Sequence, residues 1–214
     1  MNSSHVRTIH GIRVLKNRHK LVKTLKDDSL VPTLHGHQIW QSAYMVIEYL
    51  EQHPLQQGLH IMDIGCGWGI IGTFCAKRFA GDMLLVDADK RVFPFVQLHA
   101  RLNDVALETW QASFEDVDAQ MLAGQDVVIG SDICFWPELM KQLKSLIHTA
   151  LTAGVAKIIL ADPGRPTFLQ LADFCRDNYA ANVEPRWLDS RSKKQGYVLV
   201  IENPASAGRV NADS

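Results

Sequence analysis

A chain of 214 residues, 47% of them hydrophobic, suits one well-buried core better than two small ones, so a single domain with an N-terminal extension is expected. Its 22 Lys and Arg against 23 Asp and Glu leave a formal charge of −1, which supplies no whole-chain field for a polyanion, and nucleic acid is therefore not expected as a partner. No run is apolar enough for a signal-peptide core or a membrane span, which points to the cytoplasm, and Cys66, Cys75, Cys134 and Cys175 are too scattered for a disulfide framework or a metal knuckle.

Residues 1–33 form a basic extension in which Arg7, Arg13, Lys16, Arg18, Lys20, Lys23 and Lys26 precede the first acid, Asp27; a solvated face on a short strand or helix is expected, with steering of an acidic partner as the alternative. Pro32 and Gly36 break the chain before IWQSAYMVIEYLEQ, where Ile39, Ala43, Tyr44, Val46, Ile47 and Leu50 recur at helical spacing and predict a helix from about Gln38 to Gln52. LHIMDIGCGWGIIGTFCAKRFA then reads as strand, tight glycine loop and helix. MLLVDADK is the next strand, stopping at Asp87; VFPFVQLHARLN is a helix, followed by a short strand at about Ala106 to Trp110 and the stretch ASFEDV. DVVIGSDI is a strand ending near Asp132, ELMKQLKSLIHTAL a helix, AKIILADPGRP a strand running into a turn, and FLQLADFCRDNY a helix. GYVLVIEN, after the polar turn SRSKKQG, is a last strand returning as an antiparallel edge.

The runs LLV, VVI and IIL lack polar alternation, which argues for parallel strands covered on both faces. The expected fold over residues 34–203 is α/β: a doubly wound, mostly parallel seven-stranded sheet with an antiparallel edge strand, Rossmann-like, with 204–214 as a flexible tail.

Gly65, Gly67, Gly69 and Gly72 follow a predicted strand and open a helix, the setting in which backbone can approach a nucleotide or nucleoside. Gly67, Gly69 and Gly72 also spell G-x-G-x-x-G, with Asp87 20 residues after Gly67, so a dinucleotide and an NAD(P)-dependent oxidoreductase stay open. Against this, Asp63 at the mouth of the loop repels a diphosphate and suits a ligand carrying an ammonium and a sulfonium. Asp87, at its strand end, can accept both ribose hydroxyls, Asp89 reads as a helix cap, and Ser113, Phe114 and Glu115 are expected on the adenine side.

With these motifs the chain resembles the class I, seven-strand S-adenosylmethionine-dependent methyltransferases. Within that class it resembles the branch of the protein-lysine methyltransferases, which includes the electron-transfer-flavoprotein lysine methyltransferases and nicotinamide N-methyltransferase-like proteins. IMDIGCGWG is similar to the first motif of the class, VDADK to its ribose-binding acid and HGHQIWQSAYMVIEYL to the helix before the first motif. SDICFW is similar to the fourth-strand motif beside the transferred methyl group, and ADPGR to a fifth-strand signature. The resemblance implies S-adenosyl-L-methionine as cofactor, with Trp40 lining its pocket, Asp63 near its amine, Gly65, Cys66 and Gly67 against it, Asp87 and Ala88 at the ribose, and Asp132 near the methyl group.

On the acceptor side Asp132, at a middle strand end, is expected to orient a nitrogen, with Phe135 and Trp136 as an aromatic wall for cationic groups. Many protein-lysine members carry a tyrosine where this chain has Phe135. Arg165, in the turn after Asp162, either recognises an acidic group or ties down the turn, and His35 and His37 read as a base, a cofactor cover or surface residues. The expected function is methyl transfer to an amine nitrogen, a protein lysine first. A small-molecule N-methyltransferase is the near alternative, and an oxidoreductase or a non-catalytic cofactor-binding module the alternatives from other classes. The expected partner is an acceptor protein or a small amine, with no nucleic acid, no membrane and no metal.

Overall fold

The computed structural model describes residues 5–27, 38–189, 194–206 and 210. Seven strands form one sheet in the order β5-β4-β3-β6-β7-β9-β8. These are β3 (His60–Ile64), β4 (Asp82–Asp87), β5 (Glu108–Gln111), β6 (Val127–Ser131), β7 (Lys157–Asp162), β8 (Ala180–Asp189) and β9 (Lys194–Glu202). The first five run parallel. The fold is therefore the doubly wound, mostly parallel seven-stranded α/β sheet of the Rossmann-like methyltransferases.

The two-residue period of the strands sorts their apolar side chains onto two faces. Ile61, Leu85, Ile129 and Ile159 meet α2 (Ser42–Gln52), α3 (Ile70–Phe79) and α4 (Phe93–Asn103). Met62, Ile64, Val128 and Leu160 meet α5 (Ala119–Leu122), α6 (Pro137–Thr152) and α7 (Pro166–Asn178). Burial on both faces is why the central strands read as unbroken apolar runs. α2 begins at Ser42, four residues later than its periodicity suggested.

The antiparallel edge comes as a pair of strands. β9, which carries GYVLVIE, lies one strand in, antiparallel to β7 with Ile159 opposite Val200, and β8 runs antiparallel to β9 on its outer side. AANVEPRWLD gives no strand signal by periodicity, because an edge strand tolerates polar residues and Pro185.

The basic segment forms a two-stranded hairpin, β1 (Val6–Ile9) and β2 (Ile12–Leu15), then helix α1 (Lys20–Asp27). His10 and Gly11 both take positive φ at the tip, the conformation of a tight two-residue hairpin turn. Ile12, Val14, Leu15 and Val22 are buried in the core on the α3–α4 side, so the segment adds its apolar half to the domain. Among the described residues no helix is long and apolar enough to cross a membrane.

Candidate active site

A cleft opens at the carboxyl ends of β3, β4 and β6, where parallel strands of a doubly wound sheet leave a crevice. The loop after β3 forms its floor. Gly67 has φ +52, and a Cβ added there would meet nothing within 4 Å, so this position faces open cleft in a conformation that disfavours other residues. Gly69 and Gly72 differ: a Cβ on either would strike Leu85, at 2.7 Å and 2.9 Å, so both face the core and let α3 pack on β4. In the dinucleotide register Gly69 would be the glycine approaching the pyrophosphate, and here it faces Leu85 and Val96. The oxidoreductase reading of that spacing is not supported by this geometry.

Asp87 lines the cleft at the end of β4, with its carboxylate held by the N–H groups of Gly67 (3.0 Å) and Asp89 (2.9 Å). Burial pushes its carboxyl up and those two donors pull it down. Both oxygens keep lone pairs for a ribose diol. Asp89 is turned away, accepting from the Arg91 N–H at 3.1 Å and pairing with its guanidinium at 2.7 Å, so it acts as the cap. Ser113 and Phe114 also line the cleft, and Ser113 is fixed by donating its N–H and hydroxyl to Asp116. Glu115 points to Gln142, whose amide donates to it at 2.9 Å.

Of the residues singled out by sequence, the cleft brings together Trp40, Gly65, Gly67, Asp87, Ala88, Ser113, Phe114, Asp132, Phe135 and Trp136. Asp63 and Cys66 stand behind its wall. Asp63, expected at the loop's mouth, lies beneath the loop instead, 1% exposed, accepting from the Gly72 N–H at 3.3 Å. Burial pushes its carboxyl up to about 7, against the pull of that donor. Burial likewise pushes the Cys66 thiol up, so it stays protonated. Leu139 and Gln142 line the cleft without having been singled out. Their signal was their spacing, three apart in the first turns of a helix that begins right after SDICFW. Gln38, Ala112, Ser131 and Ile133 line it too, each within two residues of one that was singled out. His35 and His37 lie outside the described residues.

At the other end of the cleft Asp132 adopts φ +56, with its N–H donated to Ala161 at 2.9 Å. Its Oδ1 lies 2.8 Å from Nη1 of Arg165, and the same nitrogen lies 2.6 Å from Oδ2 of Asp162. The N–H groups of Gly164 and Arg165 close on the other Asp162 oxygen, at 2.9 Å and 2.7 Å. Arg165 thus ties down its own turn and also holds Asp132. Its guanidinium carbon sits 4.4 Å from the centre of the Phe135 ring, so a cation already occupies that aromatic face. Trp136, 51% exposed, stands at the rim with its ring 5.6 Å from Phe135.

Sheet order, a glycine loop after β3 and an acid at the end of β4 together give the fold of the class I S-adenosylmethionine-dependent methyltransferases, and the residues present fit that cofactor: an open glycine at the loop and a fixed carboxylate at the end of β4. Residues 23–167 match the family model described as lysine methyltransferase, and the chain belongs to that family. It is 35% identical to the ribosomal protein L11 methyltransferase of Dictyoglomus thermophilum over 162 residues, 76% of this chain and 50% of the relative. It is 24% identical to a ubiquinone biosynthesis O-methyltransferase of Neisseria meningitidis over 120 residues, 54% of this chain and 46% of the relative. The chain thus spans half or less of these curated relatives. Among solved structures, the tRNA (uracil-54, C5)-methyltransferase of Pyrococcus abyssi in complex with S-adenosyl-L-homocysteine superposes with a TM-score of 0.55 at 21% identity, over 79% of this chain and 40% of that one.

That last likeness corrects one expectation. A tRNA methyltransferase shares this fold, so a net charge of −1 does not set nucleic acid aside as a partner.

Proposed function

We propose that this methyltransferase transfers the methyl group to an amine nitrogen, in the first place the side chain of a protein lysine, and that it works in the cytoplasm. The observation that carries the amine reading is the charge at the acceptor end. Two buried carboxylates, Asp132 and Asp162, share the single guanidinium of Arg165, which leaves one negative charge uncompensated beside the cleft. A buried surplus charge draws an opposite one, and the opposite charge of an acceptor is an ammonium. Membership of a family described as lysine methyltransferase and the likeness to a ribosomal-protein methyltransferase support a protein acceptor.

When bound, S-adenosylmethionine supplies a methyl group activated by its sulfonium. Gly67 and Asp87 would hold the nucleoside of S-adenosylmethionine, away from the acceptor end of the cleft. The acceptor ammonium loses a proton to solvent before transfer, and Asp132 then accepts an N–H of the neutral amine and turns its lone pair into line, while Arg165 keeps that carboxylate from swinging. Phe135 and Trp136 flank the methylene stem and exclude water. Phe135 brings no hydroxyl, so Asp132 is the group on this side that meets the nitrogen.

Radiolabelled methyl transfer into a lysate of a strain lacking the gene tests the acceptor: label in a protein band, at lysine, is expected, and label confined to small molecules would replace the protein reading. Asp132→Asn tests the residue. Asn tolerates the left-handed backbone at this position, so the exchange removes charge without strain. Cofactor affinity by calorimetry is expected to stay within about twofold, and single-turnover transfer to fall by about tenfold to a thousandfold. An unchanged single-turnover rate removes Asp132 from the reaction.

A further inference from the structure

Residues 5–26 contain seven Lys and Arg and no acid, while the rest of the chain has 15 basic against 23 acidic residues. Folding turns this run into a face. Ile12, Val14, Leu15 and Val22 sink into the core, while Arg7, Arg13, Arg18, Lys20 and Lys23 stay exposed; Arg13 lies on the hairpin face away from Ile12 and Val14, Arg7 on the same face as they do, and Arg18, Lys20 and Lys23 gather at the turn into α1 and on that helix. Lys20 and Lys23 are three apart on α1 and so share one side of it. Acids meet this unit at its edges: Asp27 is the last residue of α1, and at the hairpin Glu51 touches His10 and Asp104 touches Arg13. Among the described residues no carboxylate lies within ion-pair distance of Arg18, Lys20 or Lys23. At the far end Lys26 places its ammonium 5.4 Å from the ring centre of Trp68, so the face runs up to the glycine loop of the cofactor cleft.

We infer that this face docks the phosphodiester backbone of RNA. Burying a net charge of this size against nothing would gain little, but a polyphosphate releases its counterions to such a face. An acidic protein fits less well, because stable protein interfaces centre on buried aromatic or apolar anchors, and among the described residues of this unit Leu21 is the one large hydrophobic side chain exposed. No aromatic side chain of the unit is exposed to stack on a base, so the contact is with phosphates and is indifferent to sequence. DNA offers the same backbone chemistry, so a labelled 20-base-pair DNA duplex measured beside the RNA distinguishes the two sources, and tighter binding of the duplex would overturn the choice of RNA; the polyanion-docking face does not depend on the acceptor.

The test is fluorescence anisotropy of a labelled 20-nucleotide oligouridylate with the full chain. Binding at 50 mM NaCl is expected, weakening on the order of a hundredfold by 200 mM if about five phosphates are neutralised. The triple reversal Arg18→Glu, Lys20→Glu, Lys23→Glu is expected to weaken binding at least tenfold, with the unfolding temperature and S-adenosylmethionine affinity unchanged. The milder pair Lys20→Gln, Lys23→Gln is expected to lower the slope of log affinity against log salt by about 1.4. No binding at 50 mM NaCl, or equal binding by the reversal variant, would overturn the proposal. Displacement of the oligonucleotide by polyglutamate at equal charge concentration would overturn it in favour of an acidic protein. Failure of methyl transfer to any lysine would leave these outcomes untouched, so the two readings fall separately.

Discussion

Asp63 keeps a carboxyl group where little water reaches it, and burial raises it from its ordinary 3.8 to about 7. Because the folded value exceeds the unfolded one, its favourable contribution is complete below about pH 4 and is lost as the pH climbs through about 7. Asp63→Asn is therefore expected to raise the unfolding free energy at pH 8.5 by a few kcal/mol and to bring no such gain at pH 4, read from urea midpoints at both values. The same exchange is expected to weaken S-adenosylmethionine, since the lost charge sits just behind the loop that meets a cationic ligand. Gly67→Val should do more harm to the cofactor than to the fold: φ +52 strains a branched residue and its side chain would project into the cleft, so calorimetry is expected to show at least a tenfold loss of affinity. At this scale much could be read from the sequence. That Asp87 and Asp132 line the cleft was legible because each follows an apolar run, and the crevice of such a sheet opens at its strand ends. Asp63 was expected at the mouth of the loop and lies beneath it, and its parity was there to use: it alternates with Met62 and Ile64 and shares the side of Ile61, which packs with α3.

The N-terminal hairpin and α4 are joined by polar groups that copy the hydrogen bonds of a sheet. Asn103 accepts the Arg13 N–H at 2.6 Å and donates to the Arg13 carbonyl at 2.8 Å, so one side-chain amide pairs with a strand residue as a backbone would. His99 donates from Nδ1 to the Phe95 carbonyl at 2.9 Å and accepts the Leu15 N–H on Nε2 at 3.2 Å, which requires a neutral ring. Trp68 stacks on Phe95 at 4.8 Å and tilts onto His99 at 5.8 Å, so the glycine loop leans on the same cluster. Burial pushes the imidazole down to about 4, against the pull of the Phe95 carbonyl. Its contribution is present above pH 6.5 and is lost as the pH falls toward 4, by up to about 1.4 kcal/mol per pH unit. Asp63 works in the opposite direction over much of the same window, so each should mask the other. Urea midpoints between pH 4.5 and 7.5 are expected to show Asp63→Asn becoming more acid-sensitive than the parent and His99→Gln less so; parallel profiles for the three proteins would refute the assignment. No periodicity could announce this junction. A four-residue strand is too short to show a pattern, and β8 was hidden for the related reason that an edge strand buries too little to need one.

Across the whole molecule the cleft joins pieces that are far apart in the chain, from Trp40 before α2 to Gln142 in α6, and a ligand seated there ties the loop after β3 to both neighbouring strand ends. The parallel part of the sheet was legible because alternating strands and helices with right-handed crossovers leave few topologies. The insertion of β9 between β7 and β8 was not, since pairing order at an edge depends on contacts that no local pattern records. What the assembled cleft selects follows from its charges. Asp87 and Asp132 line it, and among the described residues no lysine or arginine does. A dinucleotide would bring its diphosphate into this acidic setting without a cation to meet it, whereas S-adenosylmethionine arrives with a sulfonium and an ammonium. A ligand bound to the folded chain at one hundred times its dissociation constant stabilises it by about 2.7 kcal/mol, which for a domain of this size raises the unfolding temperature by roughly 5–10 °C. S-adenosylmethionine at that excess is expected to give such a shift, and NAD at the same concentration to give none. A shift with NAD equal to that with S-adenosylmethionine would mean that the core-facing Gly69 and the acidic lining do not exclude a diphosphate, and the charge argument for the cleft would have to be abandoned.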